Sequence, residues 1–398
     1  MTEHFFHPES GYQISVLPKY LARFGHEVLI VTSRMDKIPA FLTSFFQMEN
    51  IGEKDAEYTR NTGVKIIRLP ILAYKSGRAI NRPGFKRFID SLKPDVLYIH
   101  GESSMPALRF IPAYKRLKYA LVMDSHMMPG ASENRLAKAF NLFYRTFITP
   151  TIKKNGLTVV RTQDTAYVRD AFGIPLENAP WISFGSDTML FRPDAGARER
   201  FRRENSISDG DFLVAYAGKL NRPKGGPMFS EAIRERFAVS GGRNVVFCII
   251  GNTEKNAEGE TVERNFSESQ NRIIRLPTQK YADLPKFFQA ADLFVIPGGA
   301  SLIFYDVQAC GVPVLWSDEP LNVERVSHGN GFHFKCRDAE DFRAKILMCA
   351  ETGRDQYAQT GLNAYRYIKE NFDYEDIARQ YEAVLVSEYE RQKALKNF

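Results

Sequence analysis

The chain has 398 residues, is 44% hydrophobic and 25% charged, and carries a formal net charge of +7. At ~150 residues per domain this length suggests two or three domains, each large enough for its own core. Such a composition excludes disorder, collagen and coiled coil as the main architecture, and no apolar run reaches the ~18 residues of a membrane-spanning helix.

The N-terminal MTEHFFHPES lacks a basic region followed by an apolar core, so no signal peptide is expected. Only Met1–Glu3 precede HFFHPESG, where a doubly wound domain normally opens on a central apolar strand. Either His4–His7 form a stub of that strand or its start is truncated, and the truncated start is the expectation. A helical pattern over 14–25 leads into a strand at 26–33. Then come a strand at 64–70, a basic helix near 84–93, strands at 94–101 and 119–125, a long helix near 133–153, and a strand at 157–162. These strands are short continuous apolar runs, as in a parallel sheet buried on both faces.

The second half repeats the style. Strands are predicted at 212–218, 244–251, 272–277, 292–298 and 312–317, with helices near 226–238, 282–290, 302–310 and 338–350. Alternation of this kind predicts an α/β fold of two doubly wound domains. The polar stretch at 186–206 marks the junction. The predicted division is 1–190, 191–375, and a closing helix at 376–398 that packs back on the first domain. In that tail, YEDIARQYEAVLVSEYERQ (374–392) has apolar residues three and four apart.

The charge is uneven: residues 1–200 hold 28 Lys and Arg against 19 Asp and Glu, and residues 51–150 hold 17 against 8. Segments 82–93 and 110–119 interleave bases with aromatics, which suits an anionic membrane surface or an anionic acceptor. No nucleic-acid motif accompanies the charge, so no nucleic-acid partner is expected. Cys248, Cys310, Cys336 and Cys349 form no CxxC pair and are expected to be buried reduced thiols of a cytoplasmic protein.

Three segments carry chemistry. HPESGY (7–12) is a loop entering a helix, whose free N–H groups and dipole suit phosphate or simply an ordinary turn. No GxGxxG occurs in this half, which disfavours a nicotinamide dehydrogenase. GKLNRPKGG (218–226) brings Lys219, Arg222 and Lys224 to the end of a strand, where cations can offset a leaving diphosphate. In IPGGASLIFYDVQACGVPV (296–314) glycines at a strand end precede a helix start, and Gln308 is expected on the helix side facing a bound nucleotide. His126, in DSH, and His100 each end a strand, where open α/β sheets bind ligands. Asp209–Gly210–Asp211 spells DxD but reads as a polar turn. With no HExxH, EF-hand loop or Cys/His cluster, no metal is expected.

The order of these pieces resembles the retaining glycosyltransferases of family 4, nearly end to end. The matching stretches are ESGYQISVLPKYLARFGHEVLIVTS, KPDVLYIHG, MDSH, ISFGSDTMLFRPD, YAGKLNRPKGG, IIGNTEKN, YADLPKFFQAADLFVIPGGASLIFYDVQACGVPV and FDYEDIARQYEAVL. The resemblance implies the GT-B fold, two Rossmann-like domains facing across a cleft. It implies transfer of a sugar from a nucleotide diphosphate sugar to a glycan or lipid-linked acceptor in surface polysaccharide synthesis, without cofactor or metal. It implies that Lys219, where the family usually has Arg, and Lys224 grip the diphosphate, and that His126 lies by the donor sugar. It further implies donor contacts at Gly11, Gly218, Arg222, Gly251, Leu276, Gly299, Ser301, Leu302, Ile303 and Gln308. The family has two glutamates eight positions apart in the last glycine-rich segment; here they are Ala300 and Gln308. Ala300 offers no polar side chain, which also motivates a second expectation: a catalytically silent protein that binds glycan, lipid or a partner enzyme. A GT-B nucleotide-sugar epimerase is disfavoured by ISFGSDTMLFRP and the closing helix, both of which resemble the transferases.

Overall fold

The computed structural model describes residues 1–39, 49–75, 77–127 and 136–396. The chain divides into two compact units, Met1–Phe184 with Glu375–Phe398, and Gly185–Tyr374.

In the first unit the elements are α1 (Gln13–Arg23), β1 (Leu29–Ser33), α2 (Ile51–Thr62), β2 (Lys65–Leu69), β3 (Ile71–Lys75), β4 (Arg78–Asn81), α3 (Phe85–Ser91), β5 (Val96–Ile99), α4 (Met105–Phe110), β6 (Ala120–Ser125), α5 (Ala137–Phe143), α6 (Thr149–Asn155), β7 (Thr158–Arg161) and α7 (Tyr167–Phe172). β1 pairs with β2, and β5, β6 and β7 pair in order, all parallel. Met1–Glu3 join the two groups. Thr2 N–H donates to the Tyr98 carbonyl (2.9 Å) and Glu3 N–H to that of Val31 (3.1 Å), while Val31 and His100 donate back to Met1 (2.9 Å) and Thr2 (3.1 Å). The order is therefore β2, β1, Met1–Glu3, β5, β6, β7. The stub considered as the alternative at His4–His7 does not form there: Met1–Glu3 occupy the central position. The Glu3 carboxylate takes the N–H groups of His4 (2.5 Å) and Phe5 (3.1 Å) and so turns the chain out of the sheet.

The long helix expected near 133–153 is interrupted. Its first three residues lie outside the described ones; the rest is α5, a π-helical turn at Tyr144–Ile148, and α6. Pro150 has no N–H for the helical ladder, and the wider turn before it accommodates that gap. The antiparallel hairpin β3–β4 was not legible as strands.

The second unit holds α8 (Ala195–Glu204), β8 (Phe212–Ala217), α9 (Gly226–Ala232), β9 (Val245–Ile250), α10 (Ala257–Ser267), β10 (Arg272–Leu276), α11 (Pro285–Ala290), β11 (Leu293–Ile296), α12 (Ile303–Ala309), β12 (Val314–Ser317), α13 (Pro320–Arg325), β13 (Gly331–Phe334), α14 (Ala339–Glu351) and α15 (Arg354–Asn371). Its parallel sheet runs β10-β9-β8-β11-β12-β13. Every residue of β8, β9, β11 and β12 is buried, as expected of strands covered by helices on both faces. This strand order reverses direction between β8 and β11, and the first unit reverses between Met1–Glu3 and β5. Ligands of open α/β sheets bind beyond the carboxyl ends of the strands at such a switch point.

Some polar stretches fold more than their composition suggests. Within 186–206, α8 is capped by the Asp194 carboxylate, which accepts from Ala197 N–H at 2.8 Å. It is tied down by Arg202, whose buried guanidinium donates to the carbonyls of Ala290, Ser208 and Asp211 and to Asp292. α9 stops at Ala232, short of the expected 238, because Ser269 and Asn271 side chains take the Ile233 carbonyl. The tail helix α16 (Tyr374–Lys396) packs in the first unit. There Glu388 accepts from Thr158 (2.8 Å), Arg391 donates to the carbonyls of Asn155 and Gly156, and Tyr381 meets Tyr98 edge-on. Cys248, Cys310 and Cys349 are buried, but Cys336 is exposed, against expectation.

Candidate functional site

Each unit gathers its chemistry at its own switch point. In the second unit, the loops after β8, β9 and β11 interlock backbone to backbone. A Cβ on Gly251 would stand 1.8 Å from the Gly218 carbonyl oxygen, and one on Gly225 would stand 2.7 Å from the Pro297 carbonyl carbon. Over this platform sit Lys219 and Lys224. Burial lowers the pKa of both, and the charge of Lys219 lowers Lys224 further, while Glu254 and Glu319 pull the other way. The Lys224 ammonium donates to the carbonyl of Ala300, which links the two loops that the resemblance singles out.

The other residues expected here divide. The Leu276 carbonyl, at the end of β10, accepts the Gly251 N–H at 3.1 Å, and the Gly299 carbonyl accepts the Trp316 indole N–H at 3.0 Å. Ser301, Leu302 and Ile303 are half-buried at the start of α12. Two expectations are not met. Arg222 turns away to the Glu258 carboxylate, giving Nε and Nη2 bonds of 2.9 and 2.7 Å. Gln308 is fully buried and exchanges amide bonds with Asn330, 2.8 Å to its carbonyl and 2.7 Å from its Nδ2, so it does not face a ligand. Asp209–Gly210–Asp211 is a turn, in which Asp211 takes the Ser208 N–H at 2.8 Å.

In the first unit, the HPESG loop folds on itself. Ser10 and Ser15 share a 2.7 Å hydroxyl bond, and half-buried Gly11 lies just before α1. Across the strand ends lies a denser cluster. Asp124 is the penultimate residue of β6, and its Oδ2 stands 2.9 Å from His100 Nδ1 and 2.9 Å from His126 Nε2, with the two ring nitrogens 3.1 Å apart. Tyr98 donates to the same oxygen, and Gly101 N–H donates to Oδ1 at 2.7 Å. Buried Glu3 holds the far side of His100 at 3.1 Å and also meets His4 Nδ1 at 2.6 Å. His126 stacks near Phe184, with ring centroids 5.4 Å apart.

The charges follow from this arrangement. Burial would lower the His100 pKa, but the carboxylates of Asp124 and Glu3 raise it to about 9. Burial together with His100 lowers that of His126, despite Asp124. Burial opposes ionisation of Glu3, yet His4 and His100 bring it down to about 2. Asp124 is held well below the carboxylate range by the two histidines, against its burial. Burial lifts Glu102, just beyond β5, to about 7.

Sequence reasoning nominated His126 and noted His100, but missed Asp124 and Glu3 as partners. The signal was present: Glu3 and His100 stand at the carboxyl ends of the two strands that flank the switch point, and Asp124 and His126 at the end of the next strand, β6. Among the described residues, His100, Asp124 and His126 form the group whose ligand-type atoms all lie close enough, within 4.8 Å, to share a metal ion.

The comparisons with known proteins agree with this architecture. Residues 197–367 match the family model of the glycosyl transferases group 1. A D-inositol 3-phosphate glycosyltransferase of Pseudarthrobacter chlorophenolicus is 28% identical over 138 residues, 33% of this chain and 32% of that protein. The chain thus spans about a third of that relative's length. A glycosyltransferase from Rickettsia africae superimposes with a TM-score of 0.70 at 16% identity, covering 94% of this chain and 93% of the other. The Anabaena protein Alr3699/HepE, in complex with UDP and glucose, does so with a TM-score of 0.68 at 18% identity, covering 97% and 98%.

Proposed function

We propose that the chain, whose segment 197–367 matches the glycosyl transferases group 1 and which has the GT-B fold, is a retaining glycosyltransferase. It moves a sugar from a nucleotide diphosphate sugar to a glycan or lipid-linked acceptor of the cell envelope. The observation that carries this reading is the Lys219–Lys224 pair. Burial lowers the pKa of both ammonium groups, and Lys219 lowers that of Lys224 further, just beyond the carboxyl end of β8 in loops that glycines pack closely together. A diphosphate leaving group accumulates negative charge as the glycosidic bond breaks, and fixed cations stabilise it without reorganising. In this role the lysines stand in for a metal, and no cofactor is needed. The UDP held by the Anabaena protein makes a nucleoside diphosphate the natural first probe. The acceptor is proposed to reach the first unit at the inner face of an anionic membrane; no helix among the described residues is long and apolar enough to cross one.

Thermal shift with UDP, GDP, ADP and their sugar conjugates tests the reading. One nucleotide should raise the melting temperature, by RT ln(1 + [L]/Kd) in free energy, and Lys224→Ala should lose that shift. A folded protein that responds to none of them would sink it. Ala300 and the inward-turned Gln308 favour a second reading, a silent GT-B protein that binds glycan, lipid or a partner enzyme. Nucleotide binding without turnover across a panel of acceptors would select it.

A further inference from the structure

We propose that His100, Asp124 and His126 form a binding site for a divalent first-row transition cation at the switch point of the first unit. The inference goes beyond sugar transfer and does not rest on it. Nor is this cation the counter-charge of a diphosphate, which Lys219 and Lys224 supply in the other unit.

The first argument is geometric. His100 Nδ1, His126 Nε2 and Asp124 Oδ2 make a triangle with edges of 2.9, 2.9 and 3.1 Å. Metal–nitrogen and metal–oxygen bonds of ~2.1 Å at right angles give edges of ~3.0 Å, so the triangle matches one face of an octahedron. Two imidazoles and one carboxylate on one face, with the opposite positions open, suit Mn, Fe, Co, Ni or Zn rather than the all-oxygen preference of Ca and Mg.

The second argument concerns protons. In a hydrogen-bonded cluster with both ring nitrogens protonated, two N–H groups and the Tyr98 hydroxyl all point at Asp124 Oδ2 with the nitrogens only 3.1 Å apart, and with His126 Nε2 unprotonated its lone pair faces that carboxylate oxygen at 2.9 Å instead. Either arrangement leaves one repulsive contact, N–H against N–H or lone pair against carboxylate. A cation in their place receives two nitrogen lone pairs and removes the conflict.

The third argument is the surrounding shell, which is complete for metal-binding tautomers. His100 Nε2–H faces Glu3 Oε2 at 3.1 Å. His126 Nδ1–H faces Thr162 Oγ1 at 3.3 Å, and that hydroxyl spends its own proton on the Ser125 carbonyl at 3.0 Å. Asp124 Oδ1 is held by Gly101 N–H. A carboxylate or hydroxyl behind each ligating imidazole fixes its orientation and raises its basicity. The carboxylates of Glu3 and Asp124 also balance a dication. Asp124 is fully buried, while the His100 and His126 side chains are 19% and 26% exposed, so solvent reaches one side of the triangle. That side would admit water or a ligand's hydroxyl or carboxylate oxygens.

Tag-free protein, stripped with EDTA and titrated with Co²⁺, Mn²⁺ and Zn²⁺, tests the proposal. One equivalent of Co²⁺ should bind per chain and give a visible d–d spectrum that Zn²⁺ abolishes by competition. His100→Gln and His126→Gln should each weaken binding by tenfold or more. Glu3→Gln, acting through His100, should weaken it about tenfold while keeping the stoichiometry. Lys224→Ala should leave the spectrum unchanged while losing nucleotide, which separates this proposal from the transfer reading. Absence of a cobalt spectrum and of any thermal stabilisation by the three ions in folded wild-type protein overturns it. So does stoichiometric binding that survives both histidine substitutions. If a variant fails to fold, the wild-type titration still decides.

Discussion

Two ammonium groups held side by side are a poor arrangement until an anion arrives, and Lys219 and Lys224 are such a pair. In the ligand-free chain burial lowers the pKa of both, and Lys219 also lowers Lys224. A bound diphosphate reverses this and raises them. The ligand-bound state therefore holds its protons to higher pH than the free state does. Affinity is complete below the free-state pKa values and falls as pH rises through them toward the bound-state values. Isothermal titration of the best nucleotide between pH 7 and 10 should show affinity falling from lower pH than an ordinary lysine would give; a flat profile would count against the pair. Gln308 shows where residue-level reading stops. Its place on α12 is plain from the sequence, but its partner Asn330 lies beyond another strand and helix, and only the folded chain brings the two amides together. Asn330→Ala would strand a fully buried amide and should cost about 2 kcal/mol in denaturant unfolding. The His100–Asp124–His126 group was hidden for the same reason. Asp124 and His126 lie at the end of β6 and His100 at the end of β5, and their convergence is a property of the sheet.

At the scale of elements, the loops after β8, β9 and β11 act as one block. Gly251→Ala would drive a methyl into the Gly218 carbonyl, which no side-chain rotation can relieve, because both partners are backbone. The expected result is a stable second unit with nucleotide affinity reduced at least tenfold, since the displaced loop carries Lys219. Circular dichroism and titration together check this, and unchanged affinity would mean that the loops move independently. Strands with continuous apolar runs were legible because burial on both faces leaves a mark in composition. α8 was not, because its sequence is dominated by Arg and Glu. What fixes it is a cap at Asp194 and the buried reach of Arg202 to Asp292 and three carbonyls, interactions that a hydrophobicity pattern does not record. The hairpin β3–β4 was missed because its strands are short and mostly half-buried, with no long continuous apolar run to mark them.

For the whole molecule, the basic excess of the first half survives folding, but not as read. In 82–119 the aromatics Phe85, Phe110, Tyr114 and Tyr119 are core, while the bases Arg82, Arg87, Lys93, Arg109, Lys115, Arg116 and Lys118 are exposed. The large apolar side chains that do stay exposed include Leu136, Leu142 and Phe147, at 69, 67 and 65%, near exposed Lys138 and Arg145. If the chain meets an anionic bilayer, this is the face that fits it. Binding to vesicles with anionic lipid should fall severalfold between 50 and 300 mM salt as the Debye length shrinks, and a Leu142→Ser/Phe147→Ser double variant should bind several-fold less at either salt. Salt-independent binding would refute the electrostatic part. The return of α16 to the first unit has a consequence for biosynthesis. Residues 185–374 form their unit from one uninterrupted stretch, whereas the first unit lacks Tyr381, Glu388 and Arg391 until the tail has been made. Domains usually fold in the order of translation. Here the part that leaves the ribosome first is completed last, and it must wait through some two hundred residues of synthesis with the surface that α16 covers still open to chaperones.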